Sequence, residues 1–434
     1  GNTDFCKTTI IIQDVNDICP NTSNFGKITG DIKTLKAEST KLVNMQLLKN
    51  NIVVKEAKAS PYYFLDLGMS TEYVVQPSRN DNHLNGVTTG DIVKIQKHIL
   101  GQQLITNPYL LIAADVNNNG SITAADISII RKLILGIIPE FKSVPSWTFI
   151  PKNYVFVNPD EPWLAPRNAS VMLNEKIKVV DFVSIKMGDI NETATSGLGS
   201  VVETRNSEKP LNFNVKDVEL VAGETYRINF NASDFTDIMG YQFTLEFDQE
   251  AILYQGFEAA ALPLTEANFG LNKVGEGIIT TSWNSNSAMS VEAHDKLFYL
   301  IFKANKNTSL SKVLKLGDGI TRAEAYHSDL TPFEVKLNVT NESNQNAEFA
   351  LYQNEPNPFK KEAVISFNLP KAMPSSLTIY DQNGKVVRIY EIDGVKGLNN
   401  ILINKQDLNG AGNVLYYQLD ALEFTATKRM VLVD

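Results

Sequence analysis

One stretch of the chain is written twice. NGVTTGDIVKIQKHILG (85–101) aligns with GSITAADISIIRKLILG (120–136), thirty-five positions later. Each copy is a polar loop, then an amphipathic helix, then a glycine that stops it. In the second copy Ile127, Ile130, Leu133 and Ile134 fall at helical spacing on one face. A chain carrying this repeat builds part of itself from two loop–helix units, whatever surrounds them.

The loop before the second helix is Asp115-Val-Asn-Asn-Asn-Gly-Ser-Ile-Thr-Ala-Ala-Asp126. Calcium takes about six to eight oxygens, and a tight twelve-residue loop can supply them from alternate positions. Asp115, Asn117 and Asn119 stand at positions 1, 3 and 5, and Gly120 permits the turn at 6. Ser121 can offer its carbonyl at 7, Thr123 can ligate directly or through water at 9, and Asp126 closes the shell at 12. The alternative is an Asn-rich turn capped by Asp126. With its twin copy the motif resembles a type I dockerin, whose loops end in Asp where an EF-hand has Glu, and the resemblance implies calcium. The first loop is degenerate. Setting Asp91 at position 12 places Asn80, Asn82, Leu84, Gly86 and Thr88 at 1, 3, 5, 7 and 9. Leu84 cannot ligate and the glycine is shifted; Asp81 could replace Asn80 in a reshaped loop. Asp189 and Asn191, in GDIN, could instead fold back to complete a site.

The rest of the chain reads as mainly β and multidomain: β-sandwich modules in tandem with this small helical one. Its 434 residues suit about three or four domains. The net charge of −9 and the lack of a basic stripe argue against nucleic-acid binding. No run approaches the roughly 18 apolar residues of a membrane helix, and no signal peptide is visible. The chain opens mid-strand on TDFCKTTIIIQD, so the expectation is the C-terminal part of a longer surface protein.

Residues 1–20 read as the last strand of an Ig-like domain and a linker. Cys6 and Cys19 are the only cysteines. A disulfide between them suits an exported protein; pairing of Cys6 with an upstream cysteine is the alternative. DVNDICP (14–20) resembles the calcium-binding linker of cadherins, which would make Asp14, Asn16 and Asp17 ligands; an ordinary polar linker is the favoured reading. Residues 26–77 resemble the prealbumin-like modules of surface proteins. The dockerin-like repeat with its extension covers 78–195. Within it, 140–195 reads as an aromatic-rich cover ending in a helix-like piece, VVDFVSIKMGDIN. A polar linker, 198–209, follows. In 210–340 the runs GYQFTLEFDQEAILY and LFYLIFKA resemble cohesins and related carbohydrate-binding sandwiches.

The end of the chain is the most specific resemblance. LYQNEPNPF, ISFNLP, LTIYDQNGKVV and VLYYQLDALEFTATKRMVLVD occur in that order. ISFNL alternates as a half-buried strand does, and Asp381 to Gly384 is a turn between two strand runs. The segment 345–434 resembles the type A C-terminal sorting domain of the Bacteroidetes type IX secretion system. It departs at Leu415, where an aromatic is usual, and in a longer turn before it. The resemblance implies export to the cell surface or medium through an outer-membrane shuttle, a translocon and a sortase-like protease, with attachment to surface lipopolysaccharide possible. Carried over, the signal positions are Pro356, Asn357, Pro358, Gly384, Tyr416, Lys428 and Arg429.

No catalytic constellation stands out. The four histidines at 83, 98, 294 and 327 sit in unrelated segments, and HExxH, GxSxG and a Gly-rich phosphate loop are absent. The expectation is a non-catalytic scaffold or stalk, braced by calcium. One alternative is a cellulosome-like pairing with a separate cohesin. In dockerins partner choice lies near loop positions 10 and 11; here these are Thr89-Gly90 and Ala124-Ala125, small residues. A cohesin-like domain follows on the same chain, so packing of the two within one molecule is expected. Glycan binding by the sandwich would use Trp283 and Tyr241 as stacking residues; core packing is favoured for both.

Overall fold

The computed structural model describes residues 25–58, 60–197, 209–293, 295–340, 349–408, 410, 412–422 and 424–433. The expected disulfide Cys6–Cys19, the linker residues Asp14, Asn16 and Asp17, and His294 lie outside the described residues. The described chain is mainly β, in several sheets, with a small helical region.

The first β-domain is built from both sides of the helical repeat. Phe25–Gly30 alternates exposed and buried positions, the pattern of a strand with one face inward. It pairs antiparallel with Tyr62–Gly68 and parallel with Ile177–Val179. A second sheet runs Ile52–Lys58, Asn44–Lys49, Glu72–Ser78 and Ala169–Met172. In a third, Phe182–Lys186 lies between Ile32–Lys33 and Trp147–Pro151. Ile28, Met45, Phe64 and Trp147 share the resulting core. The segment 140–195 is therefore more than a cover for the repeat: its strands belong to the β-domain, and the helices form an insertion between Ser78 and Trp147. VVDFVSIKMGDIN, expected to be helix-like, supplies a strand at Phe182–Lys186. Its β-branched residues favour a strand, and partners on both edges fix one.

The inserted helices are α1 (Thr89–Ile99), α2 (Pro108–Ala114) and α3 (Ala124–Ile134). Thr88 caps α1 and Thr123 caps α3, and in each the third helical residue, Asp91 or Asp126, bonds back to the cap. Gly101 and Gly136 follow the helices in the left-handed region, as helix stops do. Ile92, Ile95, Ile130, Leu133 and Ile134 pack together, with Ile127 half-buried at the edge. Ile185 and Met187 of the β-domain join this core, so insertion and domain share buried surface.

Residues 211–340 wrap one sheet system around a single aromatic core. Its strand order starts from Ile252–Ala259 and Phe298–Ala304 and ends with Phe235–Phe247, Ile278–Val291 and Phe269–Gly270. Tyr241 and Trp283 are fully buried there and stack with ring centres 5.5 Å apart. Core packing, not a ligand platform, is their role.

The C-terminal domain pairs a sheet of Ala350–Leu351, Glu362–Leu369 and Gly397–Asn404 with one of Met373–Asp381, Val386–Gly394, Val414–Ala421 and Phe424–Val431. The expected hairpin turn is present. Gly384 is left-handed, and the Asp381 carboxylate accepts from the amides of Asn383 and Lys385, each at 2.9 Å. The opening LYQNEPNPF clasps the last strands. Asn354 donates its amide to the Tyr417 hydroxyl (2.9 Å), and Asn357 Oδ1 accepts from the Val431 amide (2.9 Å). Tyr416 and Arg429 are exposed cross-strand partners, with Lys428 exposed beside them.

Candidate metal centres and the face they abut

The loop 115–126 folds inward on its own oxygens. Asp115 accepts from the amides of Asn119 (3.1 Å) and Gly120 (2.9 Å). Asn117 Oδ1 accepts from the Asn119 amide (3.0 Å), and Asn119 Oδ1 from the Ser121 amide and hydroxyl (each 3.0 Å). Asp126, fully buried at the start of α3, accepts from the amides of Asn117 (3.3 Å) and Thr123 (3.0 Å). Gly120 is left-handed, and the Trp163 ring lies over it. Burial raises the Asp126 carboxyl above the usual carboxylate range.

The first copy is not closed by its own preceding loop. Asn80 Oδ1 is taken by His83 and the Ser146 amide, each at 2.8 Å. Asp81 pairs with Arg79 at 2.8 Å, and Asn82 Oδ1 accepts from the Asn85 amide at 3.1 Å. None of the three bonds to Asp91. The proline-free run 80–86 turns tightly instead, and Leu84 packs against the helical core.

Residues 189–193 occupy the vacated half. Asp189 accepts from the amides of Thr193 (3.0 Å) and Ala194 (2.9 Å), as Asp115 does from the residues four and five ahead. Asn191 Oδ1 accepts from the Thr193 amide (3.2 Å), matching Asn117. Asp91 accepts from the Asn191 amide (2.9 Å) and the Thr88 amide (2.8 Å), matching Asp126 on Asn117 and Thr123. The Thr193 hydroxyl reaches the Gly86 carbonyl at 3.1 Å. Asp189, Asn191 and Thr193 thus take positions 1, 3 and 5, while Gly86, Thr88 and Asp91 keep 7, 9 and 12. The D-[IV]-N spacing that Asp189–Asn191 shares with Asp115–Asn117 accords with the fold-back that the sequence allows; Thr193 was missed.

Both arrangements are hard-oxygen sets with two carboxylates, which suit calcium better than zinc or copper. Among the described residues no group of three or more His, Cys, Asp or Glu could hold a metal. Burial, then the charge of Asp189, pushes Asp91 up to about 7, and burial also raises Asp189. Lys186 stands near the pair, lowered to about 8 by burial although both carboxylates oppose this. Arg167 stands likewise near Asp115. Each centre therefore has two carboxylates and one flanking cation. His83 and His98 serve the fold. His83 Nδ1 accepts from the Phe141 amide and His98 Nδ1 from the Ile105 amide, each at 3.1 Å.

The repeat abuts the sheet face formed by Phe235–Phe247 and Ile278–Val291. Thr89 donates its amide to Gln242 Oε1 (2.6 Å), and its hydroxyl bonds that of Ser282 (2.8 Å). Gln96 and Arg131 both bond Asn284. The Leu135 carbonyl, at the end of α3, accepts from the Thr280 hydroxyl (2.7 Å). Thr89, Gln242, Thr280 and Ser282 are all fully buried. A polar sheet face is thereby satisfied by helix ends, whose amides and carbonyls otherwise lack partners.

Residues 82–135 match the family described as the dockerin type I domain. Such domains are calcium-binding, non-catalytic modules. The match stops well before Asp189, so the second half of the split centre lies outside it. Similar solved structures include a type I cohesin–dockerin complex from Clostridium thermocellum, at 14% identity, covering 30% of this chain and 95% of that one, with a TM-score of 0.25. The solution structure of CaCohA2 from Clostridium acetobutylicum is 19% identical, covers 30% and 92%, and has a TM-score of 0.24. A type II cohesin from Acetivibrio cellulolyticus is 15% identical, covers 31% and 94%, and has a TM-score of 0.24. No curated protein matches the chain. Among the described residues no helix is long and apolar enough to cross a membrane.

Proposed function

We propose that this chain is a non-catalytic scaffold segment in which a calcium-braced, dockerin-like repeat is docked on the cohesin-like sandwich of the same molecule. The observation that carries the reading is the buried contact of Thr89 with Gln242 and Ser282. It engages the start of α1, next to Thr88 and Asp91 of the split centre. Calcium at 115–126 and at the split centre stiffens the repeat where it meets the sandwich. Docking in one molecule leaves that surface unavailable to a separate cohesin, which disfavours the cellulosome-like alternative.

The tail supports a second element of the proposal: export by the type IX system, with residues 345–434 read by the shuttle and translocon and cut by the sortase-like protease. The exposed Tyr416, Lys428 and Arg429 offer a recognition surface, while Pro356, Asn357, Pro358 and Gly384 shape the fold that presents it. Attachment to surface lipopolysaccharide follows from that address.

One experiment addresses both elements. Deleting 351–434 from the exported protein is expected to hold it in the periplasm, and the retained chain is expected to sediment as a monomer at all concentrations. Normal export would overturn the sorting role. Concentration-dependent self-association through the repeat would overturn docking within the molecule.

A further inference from the structure

A cavity of about 470 Å³ lies between the helical insertion and the first β-domain. Its buried lining includes Ile112 of α2, Phe149 of the strand Trp147–Pro151, and Met187. Trp163, half-buried over Gly120, also lines it. Asn118 and Ser143 line it too and are exposed, so the cavity opens to solvent. Small-molecule sites have volumes of roughly 300–1,000 Å³ and combine apolar and aromatic walls with a few placed polar groups.

Two lining residues carry hydrogen-bond donors that the protein leaves unmet. Trp147 is 2% exposed, and its indole Nε1 is buried without an acceptor. Arg167 Nη1 is likewise buried without one. An unmet buried donor is destabilising, more so when charged. Burial works against the Arg167 charge. The Asp115 carboxylate favours that charge, but its two oxygens already accept from the amides of Asn119 and Gly120. The other cation of the lining, Arg79, is engaged elsewhere. It pairs with Asp81 at 2.8 Å and donates to the carbonyls of Lys41 (2.9 Å) and Ser196 (3.2 Å). One cationic donor and one neutral donor therefore remain. Guanidinium and indole N–H groups only donate, so the missing partner is an acceptor. One guanidinium matches one negative charge; a dianion would bury a second charge with nothing to balance it. The Trp163 ring offers a surface for an apolar or ring-shaped body.

We propose that this cavity binds a small organic carboxylate, its charge on Arg167 and a further acceptor on the Trp147 indole. Neither donor belongs to the contact with the sandwich, so the site does not depend on docking.

The chain has three tryptophans, of which Trp147 and Trp163 line the cavity. Trp283, buried in the sandwich core, is the internal control. The full chain, isotope-labelled at the tryptophan nitrogens and held in calcium, is titrated with acetate, D-glucuronate and D-glucose. The Trp147 indole resonance is expected to move saturably with the acids and to stay fixed with glucose, while that of Trp283 does not move. Equal affinities for the two acids identify a simple carboxylate as the ligand; a preference of about tenfold or more for glucuronate identifies a sugar acid. Arg167→Met removes an unmet buried charge, so it is expected to melt no lower than the unaltered chain. It is also expected to weaken binding of the acids by at least about tenfold, the loss of one charge-assisted hydrogen bond. Silence of the Trp147 resonance toward both acids, an equal response to glucose, unchanged binding in Arg167→Met, or a lower melting temperature in that variant would overturn the site.

Discussion

Asp189→Ala is expected to remove one of two calcium ions from the intact chain, although Asp189 lies about a hundred residues from the helix it serves. Its carboxylate holds the Thr193 and Ala194 amides and stands opposite Asp91, in the place Asp115 takes in the other centre. An ion present at about a hundredfold over its dissociation constant contributes roughly 2.7 kcal/mol, lost with the site. For units of this size that corresponds to a fall of roughly 5–10 °C in melting temperature. Metal content by elemental analysis and a thermal scan in calcium check it. The informative control is Asn82→Ala, which alters the contiguous loop. Its side chain accepts locally from the Asn85 amide, so two ions should remain. Retention of both ions in Asp189→Ala, with loss in Asn82→Ala, would restore the contiguous loop as the binding element.

Trp283→Ala is expected to destabilise the sandwich by about 3–5 kcal/mol, the usual range for deleting a large buried aromatic. Trp283 stacks on Tyr241 and meets Phe235 at 6.0 Å between ring centres. It is 1% exposed, so truncation leaves a cavity that the close-packed aromatic core cannot close. It also sits one residue from Ser282 and Asn284, which hold the repeat. Loosening the sheet there should weaken docking as well. Denaturant unfolding followed by tryptophan-independent circular dichroism measures the loss. A change below about 1 kcal/mol would place the ring at the surface, where a sugar could stack on it.

What could be read from sequence followed from local chemistry. The loop 115–126 carries all its oxygens within twelve residues, so spacing alone locates it. The capped helices and the Asp381–Gly384 turn are equally local. What local chemistry leaves open is non-local. Asp91 wants a partner loop, and sequence offers both the upstream asparagines and a fold-back of Asp189 and Asn191 without deciding between them; the latter pair stands there because the strand Phe182–Lys186 delivers it beside α1. That strand was read as a helix, since its hydrophobic run is too short for periodicity to decide between the two. Membership of 140–195 in the first β-domain depends on the pairings of Ala169–Met172 and Ile177–Val179, which no local signal announces. The small residues at 89 and 90 looked like poor contacts. In the fold their smallness is what lets the sheet and Tyr326 come close.

The claim that calcium braces a repeat docked within its own chain is tested most directly by hydrogen exchange of the intact protein with calcium and after chelation. In calcium the amides of Ile190 and Asn191, which donate to Asp91, and of Thr89, which donates to Gln242, are predicted to be protected together. Chelation is predicted to release all three while the Tyr380–Tyr416 pairing of the C-terminal domain stays protected. Exchange at these amides that is indifferent to calcium would contradict the account.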